Sequence, residues 1–240
     1  MRAPLEYLGQ TRFWEAVLKD TLRALLASHP DDALALGAPD RPWMPYGALR
    51  ALSRAVEGQL CAAGLGATDR VAIVLPNGPD MAAAFITIAQ AAATAPLNPA
   101  YREEEFRAFD LGLPTVHSEA AAPTARDTAL ILHTSGTTSR PKIVPLLQSN
   151  LAAAAQNIAS SLALSPEDRC LNVMPLFHIH GLVAALSASL AAGASIWCAP
   201  GFDALRFFGW MRAARPTWYP AVPTMHQAIL SRAGRNAEVI

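Results

Sequence analysis

Short continuous apolar runs alternate with segments of helical periodicity along most of this 240-residue chain. Val71-Ala72-Ile73-Val74-Leu75 ends in Pro76-Asn77-Gly78, and Ser195-Ile196-Trp197-Cys198 follows a break at Gly193. Such runs, bounded by turn residues, read as buried strands. Further strands are predicted over residues 129–132, 143–145, 170–173 and 217–219. A weakly alternating strand over 32–37 precedes a turn at Ala38-Pro39-Asp40-Arg41. Helices are predicted over 12–28, 46–63, 79–93, 148–162, 182–192, 204–213 and 222–231, the first from the one-sided spacing of Phe13, Trp14, Val17, Leu18, Leu22, Leu25 and Leu26. Strands alternating with helices imply an α/β fold, with mainly parallel sheets covered by helices. Ligands of such sheets bind at loops beyond the C-terminal ends of strands.

Composition narrows the partners. Apolar residues are 52% and charged residues 16% of the chain, which allows a large core and argues against disorder. Lys plus Arg and Asp plus Glu both number 19, and no basic cluster with interleaved aromatics occurs, so neither nucleic acid nor an acidic membrane is expected as a partner. Cys61, Cys170 and Cys198 form no C-x-x-C pair, so buried, reduced thiols in a cytoplasmic protein are expected rather than zinc or disulfides. Glu6, Glu15 and Asp20 do not fit a signal peptide. Residues 181–201 carry no charge, but Gly193 splits them into a helix and a short strand, so no membrane span is expected.

The loop with the densest chemistry is Leu130-Ile131-Leu132-His133-Thr134-Ser135-Gly136-Thr137-Thr138-Ser139-Arg140-Pro141-Lys142. A buried strand runs into hydroxyls and a glycine, then closes on a proline and a lysine. Gly136 leaves the backbone free to approach a ligand, successive amides can form an anion-binding nest, and Lys142 supplies a point charge. The lysine follows proline and precedes Ile143-Val144, so this is not the G-x-x-x-x-G-K-[ST] loop that opens a helix. Local chemistry alone fits a polyphosphate cradle or a polar turn between two strands. A serine hydrolase is set aside, because Thr134-Ser135-Gly136 lacks the first glycine of a nucleophile elbow.

The whole string resembles the phosphate-binding signature of the adenylate-forming enzymes: acyl-CoA synthetases, luciferases and peptide-synthetase adenylation domains. Tyr46-Gly47-Ala48-Leu49, Asp69-Arg70-Val71-Ala72-Ile73, Pro76-Asn77-Gly78 and Pro96-Leu97-Asn98-Pro99 look like the family's early landmarks. Pro175-Leu176-Phe177-His178-Ile179-His180-Gly181 and Thr217-Trp218-Tyr219 followed by Ala221-Val222-Pro223-Thr224 look like its later ones. Within the family the likeness is nearest to the oxalate/malonate-type acyl-CoA synthetases.

The resemblance implies ATP-dependent activation of a small carboxylic acid to an acyl-adenylate, then transfer to coenzyme A. It assigns Thr134, Ser135, Gly136, Thr137, Thr138, Ser139 and Lys142 to the phosphates of ATP with Mg2+, with Lys142, Thr137 and His178 as the catalytic candidates. Phe177, His178, His180, Val222, Pro223 and Thr224 become the acyl-pocket candidates. Read without it, Phe177, Val222 and Pro223 are core. His178 and His180 are then packing histidines, or a pair whose rings share one side of an extended segment. No further ligand lies nearby in sequence, so no metal site is expected.

The chain departs from the family pattern in two places. The later adenine-, ribose- and lid-bearing motifs have no counterpart by Ile240, and the run over 107–127 is short, with Val116 as the remnant of a strand. The expectation is therefore an incomplete N-terminal domain of an adenylate-forming enzyme. Its first portion spans about 1–126 and its phosphate-loop and acyl-pocket portion about 127–240, with no C-terminal lid. Such a chain is expected to be insufficient for thioester formation alone, and to be open to self-association through an exposed sheet edge. The alternative is a non-catalytic remnant that binds a nucleotide or a partner.

Overall fold

A computed structural model describes residues 19–101, 122–134 and 142–239. Two four-stranded sheets contain the strands β1 Leu34–Ala38, β2 Arg41–Pro45, β3 Arg70–Ile73, β4 Ala93–Pro96, β5 Thr128–Thr134, β6 Lys142–Leu147, β7 Arg169–Asn172 and β8 Ser195–Cys198. Their orders are β2-β1-β8-β7 and β3-β4-β5-β6. Within them β1 pairs parallel with β8, β8 with β7, β3 with β4 and β4 with β5; the β1–β2 and β5–β6 hairpins are antiparallel.

The helices are α1 Leu22–Ala27, α2 Tyr46–Ala62, α3 Pro79–Ile88, α4 Gln148–Ser161, α5 Ala188–Ala191, α6 Phe207–Ala214 and α7 Pro223–Ala233, with a π-helix over His180–Ser187. Helix α3 touches β3 and β4 of one sheet and β1 and β8 of the other, so it lies between them. Strand periodicity then sorts the side chains. Cys170, Ile196 and Cys198 face this inner layer, while Leu171, Val173, Trp197 and Ala199 face an outer cluster with Phe207, Phe208 and Trp210 of α6. In the other sheet Leu130 and Leu132 face inward and Ile131 packs with Ala93 and Ala95 on the opposite face. Fully burying a large apolar side chain contributes roughly 1.5–3 kcal/mol, so register in these strands is strongly specified.

Several boundaries differ from expectation, each for a physical reason. Helix α1 starts at Leu22, where the Thr21 hydroxyl caps Ala24 N at 3.2 Å. The expected turns before residue 19 lie outside the described residues. The expected turn at Ala38-Pro39-Asp40-Arg41 spans only its middle residues, Asp40 being left-handed (φ 56°), and Arg41 begins β2. Pro42 and Pro45 hid that strand, and they confine it to a sheet edge. The helix expected over 79–93 ends at Ile88, and fully buried β4 follows. Its Ala93-Thr94-Ala95-Pro96 has a single strand-favouring residue, Thr94, but its small side chains fit a crowded central position. The helix expected over 182–192 is largely π-helical, and residues 217–219 make one parallel bridge, Cys170 with Trp218, rather than a strand. All three cysteines are free thiols; Cys170 and Cys198 are buried as expected, whereas Cys61 is exposed, contrary to expectation. The run expected to be shortened falls largely in 102–121, outside the described residues.

One buried side chain ties three helices. Gln148, at the start of α4, donates to the Ala89 carbonyl beyond α3 and accepts from Leu22 N at the start of α1, at 3.2 Å. Gln148→Ala leaves both backbone groups unsatisfied, at a cost of about 1–3 kcal/mol. Thermal unfolding should register this as a midpoint lowered by about 2–4 °C for each kcal/mol lost.

Candidate functional site

Strands β5 and β6 carry the candidate phosphate end. Their register pairs Ile131 with Pro145, Leu132 with Val144, His133 with Ile143 and Thr134 with Lys142. The candidate loop is therefore a hairpin connection whose two stems, Thr134 and Lys142, sit opposite each other. Ser135, Gly136, Thr137, Thr138 and Ser139 lie outside the described residues. Leu130 and Ile131 are buried, which anchors the loop's first stem, while Lys142 is exposed on strand β6 at the sheet edge. An ammonium on a paired strand is fixed at its root and free at its tip, which suits a charge that must reach a ligand. His133 is half-buried beside this stem, and loss of hydration lowers its pKa.

The acid-pocket candidates, the candidate acid end, lie on two segments. After β7, residues 173–179 turn into the π-helix. His178 and His180 thus lie at a helix entry rather than on the extended segment expected, and the argument that both rings share one side does not apply. The His178 ring nitrogen Nδ1 instead faces the His180 amide, at 3.3 Å, where it accepts. A neutral His178 in that arrangement carries its proton on Nε2. His180 is partly buried, and its pKa is lowered by burial and then by the neighbouring His178. Phe177 packs against the inner core, whereas His178 is exposed.

The second segment is held by Asp168. Its carboxylate accepts from the Thr217 hydroxyl at 2.7 Å and from Ser165 N at 2.8 Å, and these bonds hold its pKa below the usual carboxylate range. Thr217 N donates to Arg169 O at 2.9 Å, and Trp218 O accepts from Leu171 N at 3.0 Å. Residues 217–219 therefore run beside and parallel to β7. Val222 is half-buried, and Pro223 and Thr224 are exposed at the start of α7. Both acid-end segments thus emerge beyond the C-terminal ends of neighbouring parallel segments, where a ligand of an α/β sheet binds.

A cleft of about 740 Å³ lies at the ends of β3 and β8, lined by Leu75, Asn77, Gly78, Pro200 and Trp210 among others. None of the candidate residues lines it, and its Arg41 is paired with Asp80. Among the described residues, no group of three or more His, Cys, Asp or Glu side chains is placed to hold a metal ion, and no helix is long and apolar enough to cross a membrane.

The family model described as AMP-binding enzyme matches residues 22–109 and 108–239. The chain belongs to that family. It is 35% identical over 273 residues to an oxalate–CoA ligase of Arabidopsis thaliana, an alignment covering 91% of this chain and 53% of the relative. It is 38% identical over 224 residues to a probable CoA ligase of Humulus lupulus, covering 72% of this chain and 43% of the relative. The fold matches ATP-bound MatB from Rhodopseudomonas palustris with a TM-score of 0.75 at 27% identity, over 88% of this chain and 51% of that one. It also matches the O-succinylbenzoate coenzyme A synthetase of Bacillus subtilis in complex with AMP, with a TM-score of 0.78 at 25% identity, over 91% of this chain and 52% of that one. The chain thus spans about half the length of the relatives it matches.

Sequence reasoning missed the groups that orient these segments: Asp168, Asn172 and Asn77. Asn77 stood in a Pro-Asn-Gly turn, and turn chemistry explains an asparagine there without any long-range partner.

Folding excludes a proton from each ring whose pKa is lowered: His133, His180 and also His29, which is half-buried against Tyr46, with Lys19 adding to the effect of burial. The stability this protects is complete above the ordinary histidine value of about 6.5 and is lost as pH falls from there to the folded values. Unfolding midpoints should drop as pH falls below about 6.5, and His29→Gln should flatten that slope, both measurable by calorimetry.

Proposed function

We propose that this chain carries the phosphate and carboxylic-acid sites of an AMP-forming acid–CoA ligase. The observation that carries the reading is the β5–β6 register. In a chain of the AMP-binding enzyme family, it sets Thr134 opposite Lys142 at the two stems of the hydroxyl-rich loop. ATP enters as its magnesium complex, so the metal comes with the substrate. In this reading Thr134, Ser135, Gly136, Thr137, Thr138 and Ser139 offer hydroxyls and amides to the β- and γ-phosphates, and Lys142 offsets their growing charge.

A carboxylate oxygen of the acid attacks the α-phosphorus. The new P–O bond forms as the bridging bond breaks, pyrophosphate leaves, and an acyl-adenylate remains. The thiolate of coenzyme A then attacks the acyl carbon and AMP departs. Phe177, His178 and Val222 would wall the acyl group, with His180, Pro223 and Thr224 at its margin. A small acid fits this reading, because the relatives include an oxalate–CoA ligase and a sulfoacetate–CoA ligase. The setting proposed is cytoplasmic, where ATP and coenzyme A are supplied. Residues 1–240 are read as part of an adenylation domain, with portions of about 1–126 and about 127–240. Strand β6 is a sheet edge, with Ile143 47% and Val144 38% exposed, so self-association through it belongs to the same reading.

Calorimetric titration with MgATP and with pyrophosphate tests the phosphate end. Exchange of labelled pyrophosphate into ATP, with oxalate, malonate or short fatty acids present, tests adenylation. Lys142→Ala should remove about 2.7–4 kcal/mol of transition-state stabilisation, a 10²–10³-fold fall in exchange, if Lys142 behaves as other charge-stabilising donors do. Binding of MgATP without exchange for any acid would favour a non-catalytic nucleotide-binding role instead. No binding of either phosphate ligand would defeat both.

A further inference from the structure

Asn77 lies on a turn that its neighbours hold rigid. Pro76 and Pro79 restrict the backbone on either side, and Gly78 takes φ +139°, a conformation that side-chain-bearing residues rarely adopt. From that turn the amide crosses from one sheet to the other. Its Nδ2 donates to the Ala199 carbonyl just past β8 at 3.0 Å, and its Oδ1 accepts from Leu176 N at 2.7 Å. Both partners are backbone groups 99 or more residues away in sequence.

The same network continues inward. Ala199 N donates to Asn172 O at 3.0 Å, and the fully buried Asn172 side chain binds Met174 twice, donating to its carbonyl at 3.2 Å and accepting from its amide at 3.1 Å. Residues 174 and 176 are thereby pinned on either side of Pro175. The Pro175 carbonyl in turn accepts from His178 N at 3.3 Å, and it lies so close to Gly181 that a Cβ there would stand 2.2 Å from it. Two contacts at the entry of the π-helix, His178 N on the Pro175 carbonyl and Gly181 against the same carbonyl, thus adjoin this pinned turn, and the exposed His178 ring follows directly on them.

We infer that Asn77 is a positioning residue for the acid end of the site: by gripping Leu176 N and Ala199 O together, it sets where His178 stands relative to the sheet that carries the phosphate loop. The inference rests on the acid-binding reading above. It also explains the choice of side chain, since an amide can donate to one backbone and accept from another through separate atoms, whereas an ionised carboxylate only accepts and an alkyl group does neither.

The test compares the wild-type chain with Asn77→Ala and Asn77→Asp. It reads the ring-proton resonances of the histidines by NMR and the affinities for oxalate, malonate and MgATP by calorimetry. Asn77→Ala should shift the His178 resonances while leaving those of His226 in place. It should also weaken binding of the tighter acid about tenfold, with MgATP affinity held within about twofold. Asn77→Asp keeps the acceptor for Leu176 N and should return the His178 resonances towards their wild-type positions. Unmoved His178 resonances in Asn77→Ala would overturn the inference, and so would equal losses of acid and MgATP affinity, the mark of a merely structural tie. If the wild-type chain binds neither MgATP nor pyrophosphate, the proposed function falls, and the His178 resonances alone then decide the role of Asn77.

Discussion

Leu130 and Leu132 of one sheet and Ile196 and Cys198 of the other belong to a single buried cluster, joined through Phe85 and Met81 of α3. Both sheets bury their inner faces against the same helices. Packed interiors do not deform continuously, so neither sheet can shift without disturbing the other. This constraint gives the site its meaning. The stems of the candidate phosphate loop rise from one sheet and the segments with the acid-pocket candidates from the other, and a layer of Ala, Leu, Met and Phe side chains, together with the Asn77 bridge, fixes one sheet against the other.

The two ends are built differently. At the phosphate end, one hairpin sets both stems, and the residues involved are neighbours in sequence. At the candidate acid end the chain is pinned by partners from far away, Thr217 by Asp168 and Leu176 by Asn77, with one local contact, the close approach of Pro175 to Gly181. Local geometry tolerates changes within the loop sequence, whereas geometry assembled from distant backbone groups depends on each polar partner keeping its place. The π-helix belongs to this second kind of construction. Its wider turn follows directly on the pinned segment, and Ser187 Oγ donates back to Leu182 O at 2.8 Å within it.

Much of the architecture was legible in the chain. Residues 195–198 form a strand as expected, and α2, α4 and β5 lie within a few residues of their expected bounds. Strong periodicity and clear stops at Gly64, Pro76 and Gly193 made those elements readable. The strands that escaped were β2, masked by two prolines, and β4, whose two alanines and proline disfavour a strand but fit where the neighbouring strands and helices crowd. The π-helix escaped because hydrophobic spacing cannot tell one helical pitch from another over eight residues.

For the site, the order of residues along the chain determined the chemistry on offer: a loop of hydroxyls closed by Lys142, and two histidines after Pro175. These are matters of composition and spacing, which survive without coordinates. Tertiary structure alone decided that Thr134 faces Lys142, that His178 stands at a helix entry, and that Asn77 reaches Leu176 and Ala199. Those relations join backbone groups through hydrogen bonds between distant segments, and no local pattern records them, because a turn asparagine looks the same whether its amide meets water or the far side of the core.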